Sequence, residues 1–162
     1  MIYLSVCYLK VLIMLSFLLR ASQFFYPLNF RRMGSLFEKM MKMICSADIS
    51  GRANIHPHVS FSHGGIGVIV NPASEIGEGC IISAKVTIGN AFPHGGAPRL
   101  GKHVYVGIGA FIGGKVKIAD YVIIGANSVV TKDIDEPYCI YAGIPARKLR
   151  GLSEEEIEML NW

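Results

Sequence analysis

The sequence predicts an all-β solenoid, a parallel β-helix with short helices at its N-terminus and one short helix at its C-terminus. The first observation is a beat of six. Ile49, Ile55 and Phe61 share one phase, and Val70, Ile76, Ile82 and Ile88 open a second. Leu100, Val106, Ile112, Ile118, Ile124 and Val130 keep that second phase without slipping. The second observation is a Gly directly after the aliphatic, at Gly77, Gly89, Gly101, Gly107, Gly113 and Gly125. The third is a small or β-branched residue four positions after it, as at Ala53, Cys80, Val104 and Ser128. A helix needs apolar spacing of three and four, and an ordinary strand alternates with no beat of six. A hexapeptide period instead marks a parallel β-helix. Each six residues form one side of a coil, the aliphatic fills the prism, and the Gly is expected to turn the corner with positive φ.

Ahead of the repeat, residues 1–47 read as an apolar and basic helical segment. Ile2–Leu9 and Val11–Leu19 are two short apolar stretches parted by Lys10, and Arg20 follows. A secretory signal needs positive charge before its apolar core and a small-residue cleavage site after it. Neither is present, and Lys10 interrupts the run of about twenty apolar residues that a span needs. The stretches are expected to pack on the solenoid or to lie in a membrane interface. Pro27 closes this region, and a second short helix is expected over Leu36–Ile44. The repeat domain runs over 48–150 with a loop at 90–99. Ser153 and Glu156 form a capping box that starts a helix within 151–162.

Length and composition fit one domain with terminal additions: 162 residues, formal charge +4. The basic excess sits in residues 1–44, where Lys10, Arg20, Arg31, Arg32, Lys39 and Lys42 face one acid, Glu38. Such an arm suits an anionic membrane surface or a polyanion, but no nucleic-acid-binding module accompanies it, so no nucleic-acid partner is expected. Four cysteines show no CxxC pair and no metal-ligand spacing, which makes a cytoplasmic location the default. Cys80 falls in the small inward slot of its hexapeptide.

Two breaks in the beat each carry a histidine. Phe61 to Val70 spans nine residues instead of six, and the surplus lies in Ser62-His63-Gly64-Gly65-Ile66-Gly67. Asn90–Arg99 lacks its aliphatic and holds His94 among Pro93, Gly95, Gly96 and Pro98, a loop composition. Side chains leave a solenoid wall where its repeat is broken. A neutral imidazole at His63 suits a general base near pH 7, with its other nitrogen held by a carboxylate. Asp48, nearly one coil earlier, can come alongside. His56, His58 and His103 occupy outward positions in regular coils and read as surface residues.

Five segments together resemble the hexapeptide-repeat acyltransferases: Asp48-Ile49, His63-Gly64-Gly65, Gly95–Gly101, Ile124–Asp133 (IGANSVVTKD) and Ala142–Arg147 (AGIPAR). The resemblance covers roughly 48–150 and is strongest to serine acetyltransferase-like enzymes, including O-acetyltransferases of polysaccharide sugars. It implies a left-handed β-helix, a homotrimer with active sites between subunits, and acetyl-CoA as co-substrate. It also implies that His63 is the catalytic base and Asp48 its orienting acid. Ile108, Ala126, Thr131, Lys132, Arg147 and Arg150 would line the coenzyme A site, and His94 would serve the acceptor from its loop. Cations there match the phosphate charges of coenzyme A.

The same resemblance shows two departures from serine acetyltransferases. Those carry an acid immediately before the catalytic histidine, where this chain has Ser62, and an Arg-His pair where it has Gly96-Ala97. The reading is therefore an acetyl-CoA-dependent O-acetyltransferase acting on a sugar hydroxyl in surface polysaccharide biosynthesis, cytoplasmic and associated with the inner membrane through its basic arm. Serine O-acetylation is the alternative within the same chemistry. A carbonic-anhydrase-like zinc enzyme is a further one, needing His58, His63 and either His94 or His103 around one ion.

Overall fold

The computed structural model describes residues 2–161 apart from His94, with side chains described from Lys10 onward. Three faces of short strands wind around one apolar column. Face A stacks β1 (Asp48–Ile49), β4 (Ile69–Val70), β7 (Thr87–Gly89), β10 (Phe111–Gly113) and β13 (Val129–Val130) in that order. Face B stacks β2 (Asn54–Ile55), β5 (Glu75–Ile76), β8 (Arg99–Leu100) and β11 (Lys117–Ile118). Face C stacks β3 (Ser60–Phe61), β6 (Ile81–Ile82), β9 (Tyr105–Val106), β12 (Val122–Ile124) and β14 (Cys139–Ala142). A last strand, β15 (Arg147–Gly151), runs antiparallel beside β14; every other strand pairing is parallel.

Strand register locates both breaks. Phe111 pairs with Val129, which closes a regular coil of three hexapeptides. Asp48 pairs with Ile69, a coil lengthened by the surplus at the His63 bulge. Thr87 pairs with Phe111, a coil lengthened by one whole hexapeptide, the surplus of the 90–99 loop. All thirteen residues of the beat are buried in the column, as are the ten small or β-branched residues four positions after them. Each fully buried aliphatic contributes about 1.5–3 kcal/mol.

The corner expectation needs correcting. None of the six glycines after the aliphatic has positive φ. At Gly77, Gly101, Gly107 and Gly125 the missing side chain instead makes room for the next coil: a Cβ on Gly107 would lie 2.6 Å from the Ala126 nitrogen. The left-handed residue is the third after the aliphatic, namely Gly79, Lys85, His103, Gly109, Tyr121 and Asn127.

The N-terminal segment is helical and packs on the solenoid, as expected, but its first apolar stretches are not parted. Ile2–Phe25 is one helix of 24 residues, α1, and Arg31–Cys45 is a second, α2. Lys10 does not divide α1, because it lies on the exposed side. Leu15, Leu18 and Leu19 are buried against the first coil, whose open edge would otherwise leave backbone carbonyls without partners. Arg20 donates to the carbonyls of Ile55, His56 and Pro57 at 2.9, 2.9 and 3.1 Å, and Gln23 donates to that of Ala53 at 3.2 Å. From α2, Glu38 accepts from the Ser50 hydroxyl and the Gly51 N–H at 3.0 and 2.8 Å. Among the described residues, no helix is long and apolar enough to cross a membrane.

At the other end, Ser153 and Glu156 form the expected capping box and start α3 (Glu154–Leu160). This helix covers the edge between faces B and C. His103 Nδ1 lies 2.7 Å from the Leu160 carbonyl, and its ring stacks on Tyr121 at 4.7 Å, which stacks on Tyr138 at 4.8 Å. His103 is thus half-buried under α3 and not the open surface residue expected.

Candidate active site

The edge where face C turns into face A collects several of the singled-out residues. Its successive turns are laced by backbone hydrogen bonds. Lys85 N–H donates to Ile66 at 2.8 Å, Gly109 N–H to Ala84 at 3.0 Å, and Asn127 N–H to Ile108 at 2.8 Å. The His63 turn, Ile108 and Ala126 therefore stand on one line. At roughly 4.8 Å per rung, Ile66 is about 10 Å below Ile108 and about 14 Å below Ala126. Ile108 and Ala126 are both exposed on this edge.

His63 sits in a 3-10 turn, Ser62–Gly65, with left-handed backbone at φ 55°, ψ 34°. Such a conformation is uncommon for a side-chain-bearing residue, though His is enriched there. Gly64 and Gly65 continue with φ 63° and 69°. These glycines are also required by a close approach, and the approaching partner is α1: a Cβ on Gly64 would lie 2.7 Å from Val11 Cγ1, and one on Gly65 2.6 Å from Leu15 Cδ2. The helix thus supports the bulge from one side while His63 stays exposed.

Asp48 lies one coil below the chain that leaves the bulge. Gly67 N–H donates to the Ser46 carbonyl at 2.8 Å, and Asp48 N–H donates to Val68 at 2.8 Å. Its carboxylate accepts from Lys42 Nζ at 2.6 Å through Oδ2. It also borders an open cavity of about 390 Å³ along the lower part of face A, with Glu38, Arg52, Asn71 and Asn90. Asn71 donates to Asn90 Oδ1 at 3.0 Å, which ties the start of the 90–99 loop to the coil below. His94 lies outside the described residues.

A second cavity, of about 160 Å³, opens at the upper end, where the chain returns over the last coil. Thr131, Lys132 and Arg147 line it with Tyr141, Ala146 and Lys148. Lys148 is paired with Glu136 at 2.6 Å, which raises its pKa. Arg150 is held away from this cavity by Glu156 of α3, in a two-pronged contact of 2.8 and 2.7 Å. Among the described residues, Lys132 and Arg147 take part in no ion pair. The structure thus brings Thr131, Lys132 and Arg147 together and leaves Arg150 outside.

The histidines needed for a zinc hydratase do not converge. His58 lies on the B/C edge and His63 on the C/A edge, while His103 is packed against α3. Among the described residues, the one set of three side chains able to share an ion is His56, His58 and Glu78. Sequence reading missed that set, because Glu78 joins the histidines only through coil stacking. Cys80 is core filler as expected: it is fully buried, and desolvation pushes its thiol up to about 12.

Residues 97–132 match the family described as bacterial transferase hexapeptide (six repeats). The chain is 29% identical over 130 residues to a serine acetyltransferase of Synechococcus elongatus, covering 79% of this chain and 52% of that protein. It is 40% identical over 80 residues to a chloramphenicol acetyltransferase of Morganella morganii, covering 45% of this chain and 38% of that protein. A solved serine acetyltransferase in complex with CoA superposes with a TM-score of 0.75 at 28% identity, covering 82% of this chain and 54% of that one. The chain spans about half the length of the serine acetyltransferases it matches. Residues 97–132 thus match that family's hexapeptide repeat, and the six-residue beat, the three-faced coil and these likenesses give the chain a left-handed parallel β-helix fold.

Proposed function

We propose that this protein is an acetyl-CoA-dependent O-acetyltransferase with His63 as general base. The observation that carries it is the C/A edge, where an exposed histidine on a three-residue bulge lies in line with Ile108 and Ala126. The cations Lys132 and Arg147, which take part in no ion pair among the described residues, lie near the upper end. Acetyl-CoA bound there has its phosphates near the cations and its extended arm along the edge, so that the thioester approaches the bulge. His63 takes the acceptor hydroxyl proton as the oxygen attacks the thioester carbonyl. The C–S bond breaks, and the imidazolium returns the proton to the departing sulfur. Asp48 orients the ring; Lys42 occupies its Oδ2 and leaves Oδ1 for the imidazole.

The named relatives support serine as acceptor ahead of a sugar hydroxyl, reversing the order reached from the sequence. The sugar reading keeps specific support in Ser62 and Gly96-Ala97, which lack the charged groups that the resemblance places around an amino-acid acceptor. Acetyl-CoA consumption with serine, hexoses, sialic acid and nucleotide sugars ranks the two. In the preferred acceptor, His63→Ala is expected to lose about 10²–10⁴ in rate with acetyl-CoA binding retained. A variant as fast as the parent protein overturns the assignment.

The outer surface supports a reading of assembly and location. Face B is polar outside, with Asn54, Glu75, Arg99 and Lys117, whereas Ile69, Phe111 and Val129 on face A and Ile81, Tyr105 and Ile123 on face C are apolar. These two faces flank the C/A edge and suit a homotrimer in which sister copies close the site. Light scattering at one-third or three times the expected mass would reject that assembly. On α1, Ile13, Phe17 and Phe24 are 59–65% exposed, and Phe30, Arg31 and Arg32 adjoin at the uncapped start of α2. This combination suits peripheral attachment to an anionic bilayer. Phe17→Ser with Phe24→Ser should abolish cosedimentation with phosphatidylserine vesicles, and equal sedimentation refutes it.

A further inference from the structure

We propose that His56, His58 and Glu78 form a binding site for one divalent transition-metal ion, with zinc the best fit, on the B/C edge and separate from the acetyl-transfer site. Their candidate ligand atoms all lie within 4.8 Å of one another. His58 Nδ1 is 3.5 Å from Glu78 Oε1. Two donors on one tetrahedral zinc, with bonds of about 2.0–2.2 Å, stand about 3.4 Å apart. That pair is therefore already at coordination spacing. The His56 and His58 rings are 5.2 Å apart and nearly perpendicular, so side-chain rotation brings the third donor in. His56 Nδ1 currently accepts a long contact from the His58 N–H at 3.3 Å, and this lone pair is the one the ion takes over.

Three features build the site beyond proximity. Pro57 stiffens the chain between the imidazoles, and Arg20 of α1 holds the carbonyls of His56 and Pro57 at 2.9 and 3.1 Å. Glu78 presents one oxygen to His58 while Lys102 Nζ holds the other at 3.3 Å. Two imidazoles and a carboxylate suit zinc and related ions, whereas magnesium and calcium favour all-oxygen sets. Three protein ligands leave a fourth position for water.

The ion would act as a staple. His56 and His58 belong to the first coil, whose carbonyls α1 holds, and Glu78 belongs to the second. Binding therefore ties the helical cap to the coil above it, at a different edge from His63. Acetyl transfer does not require it.

The test is zinc titration of the untagged full chain by calorimetry and equilibrium dialysis. One equivalent per chain is expected, undisplaced by tenfold excess magnesium or calcium, with a raised thermal midpoint. His58→Gln and the near-isosteric Glu78→Gln should each weaken zinc by at least about tenfold, since losing even an outer-shell partner costs 10–100-fold. Both should keep far-UV circular dichroism and acetyl transfer unchanged. Lys102→Met, which removes the competing cation, should bind zinc as tightly as the parent chain or more so. Absence of saturable binding overturns the proposal. So does unchanged affinity in His56→Gln with His58→Gln, which would put the ion on other histidines.

Discussion

The contact between α1 and the His63 bulge can be tested by Gly65→Ala. Gly65 has φ 69°, and its missing Cβ would lie 2.6 Å from Leu15 Cδ2. Two costs follow. Left-handed backbone with a side chain costs about 1–2 kcal/mol, and forcing a methyl into a filled space costs about 1–3 kcal/mol. The substitution should therefore destabilise by about 2–5 kcal/mol, a large share of the roughly 5–15 kcal/mol typical of a domain. Leu15→Ala removes the colliding group, and on its own costs about 2–5 kcal/mol for the cavity it leaves. In that background Gly65→Ala should retain only its backbone cost. The double-mutant cycle then gives a coupling of about 1–3 kcal/mol, within the range for residues in contact. Urea unfolding followed by circular dichroism, at fixed protomer concentration, reads all four proteins. Equal costs of Gly65→Ala in both backgrounds would show that the helix does not rest on the bulge.

Three further outcomes follow. Lys132→Met and Arg147→Met should each raise the acetyl-CoA KM about tenfold, the loss of one charge-assisted contact, whereas Arg150→Gln should leave it within about twofold because that guanidinium is already held by Glu156; steady-state kinetics separates them. Arg150 and the Ser153 N–H pull the Glu156 carboxyl down to about 2. A folded pKa below the unfolded one stabilises fully above about 4.3 and is lost as pH falls through the folded value. Amide protection in α3, relative to the intrinsic exchange rate at each pH, should thus fall between about pH 4 and pH 2, and Glu156→Gln should remove that step. In a variant retaining only Cys80, the thiol should ignore a disulfide reagent until the protein unfolds, since the thiolate is the reactive form.

The column was legible because the beat of six marks its inward positions, an aliphatic and a small or β-branched residue four later, and both sets are buried. The corners were less so, since a glycine answers two separate needs, left-handed backbone and close approach. Gly107 serves the second, while Lys85 and Tyr121 take the left-handed turns without being glycine. Lys10 looked like an interruption along the sequence; wound into α1 it merely faces outward. His56 and His58 read as lone surface residues because their partner is a coil away. The bulge lengthens that coil beyond three hexapeptides, so Glu78 stacks over Pro57 between them. His63 and Asp48 stood out through broken rhythm and spacing, but the Lys42 contact to Asp48 crosses from a helix to a strand and left no periodic trace.

A stacked coil has no natural stopping point, since each rung offers the same hydrogen-bonding template to whatever lands on it. Here both exits are shut by different means. Arg20, Gln23 and Glu38 occupy polar groups of the lowest rung, and at the top a reversed strand bearing Arg147, Lys148 and Arg150 lies along the outermost partner. Charge and reversed polarity both discourage a second molecule from extending the ladder. Loosening either closure would expose that template for end-to-end fibres, so the groups that finish the molecule also limit its growth.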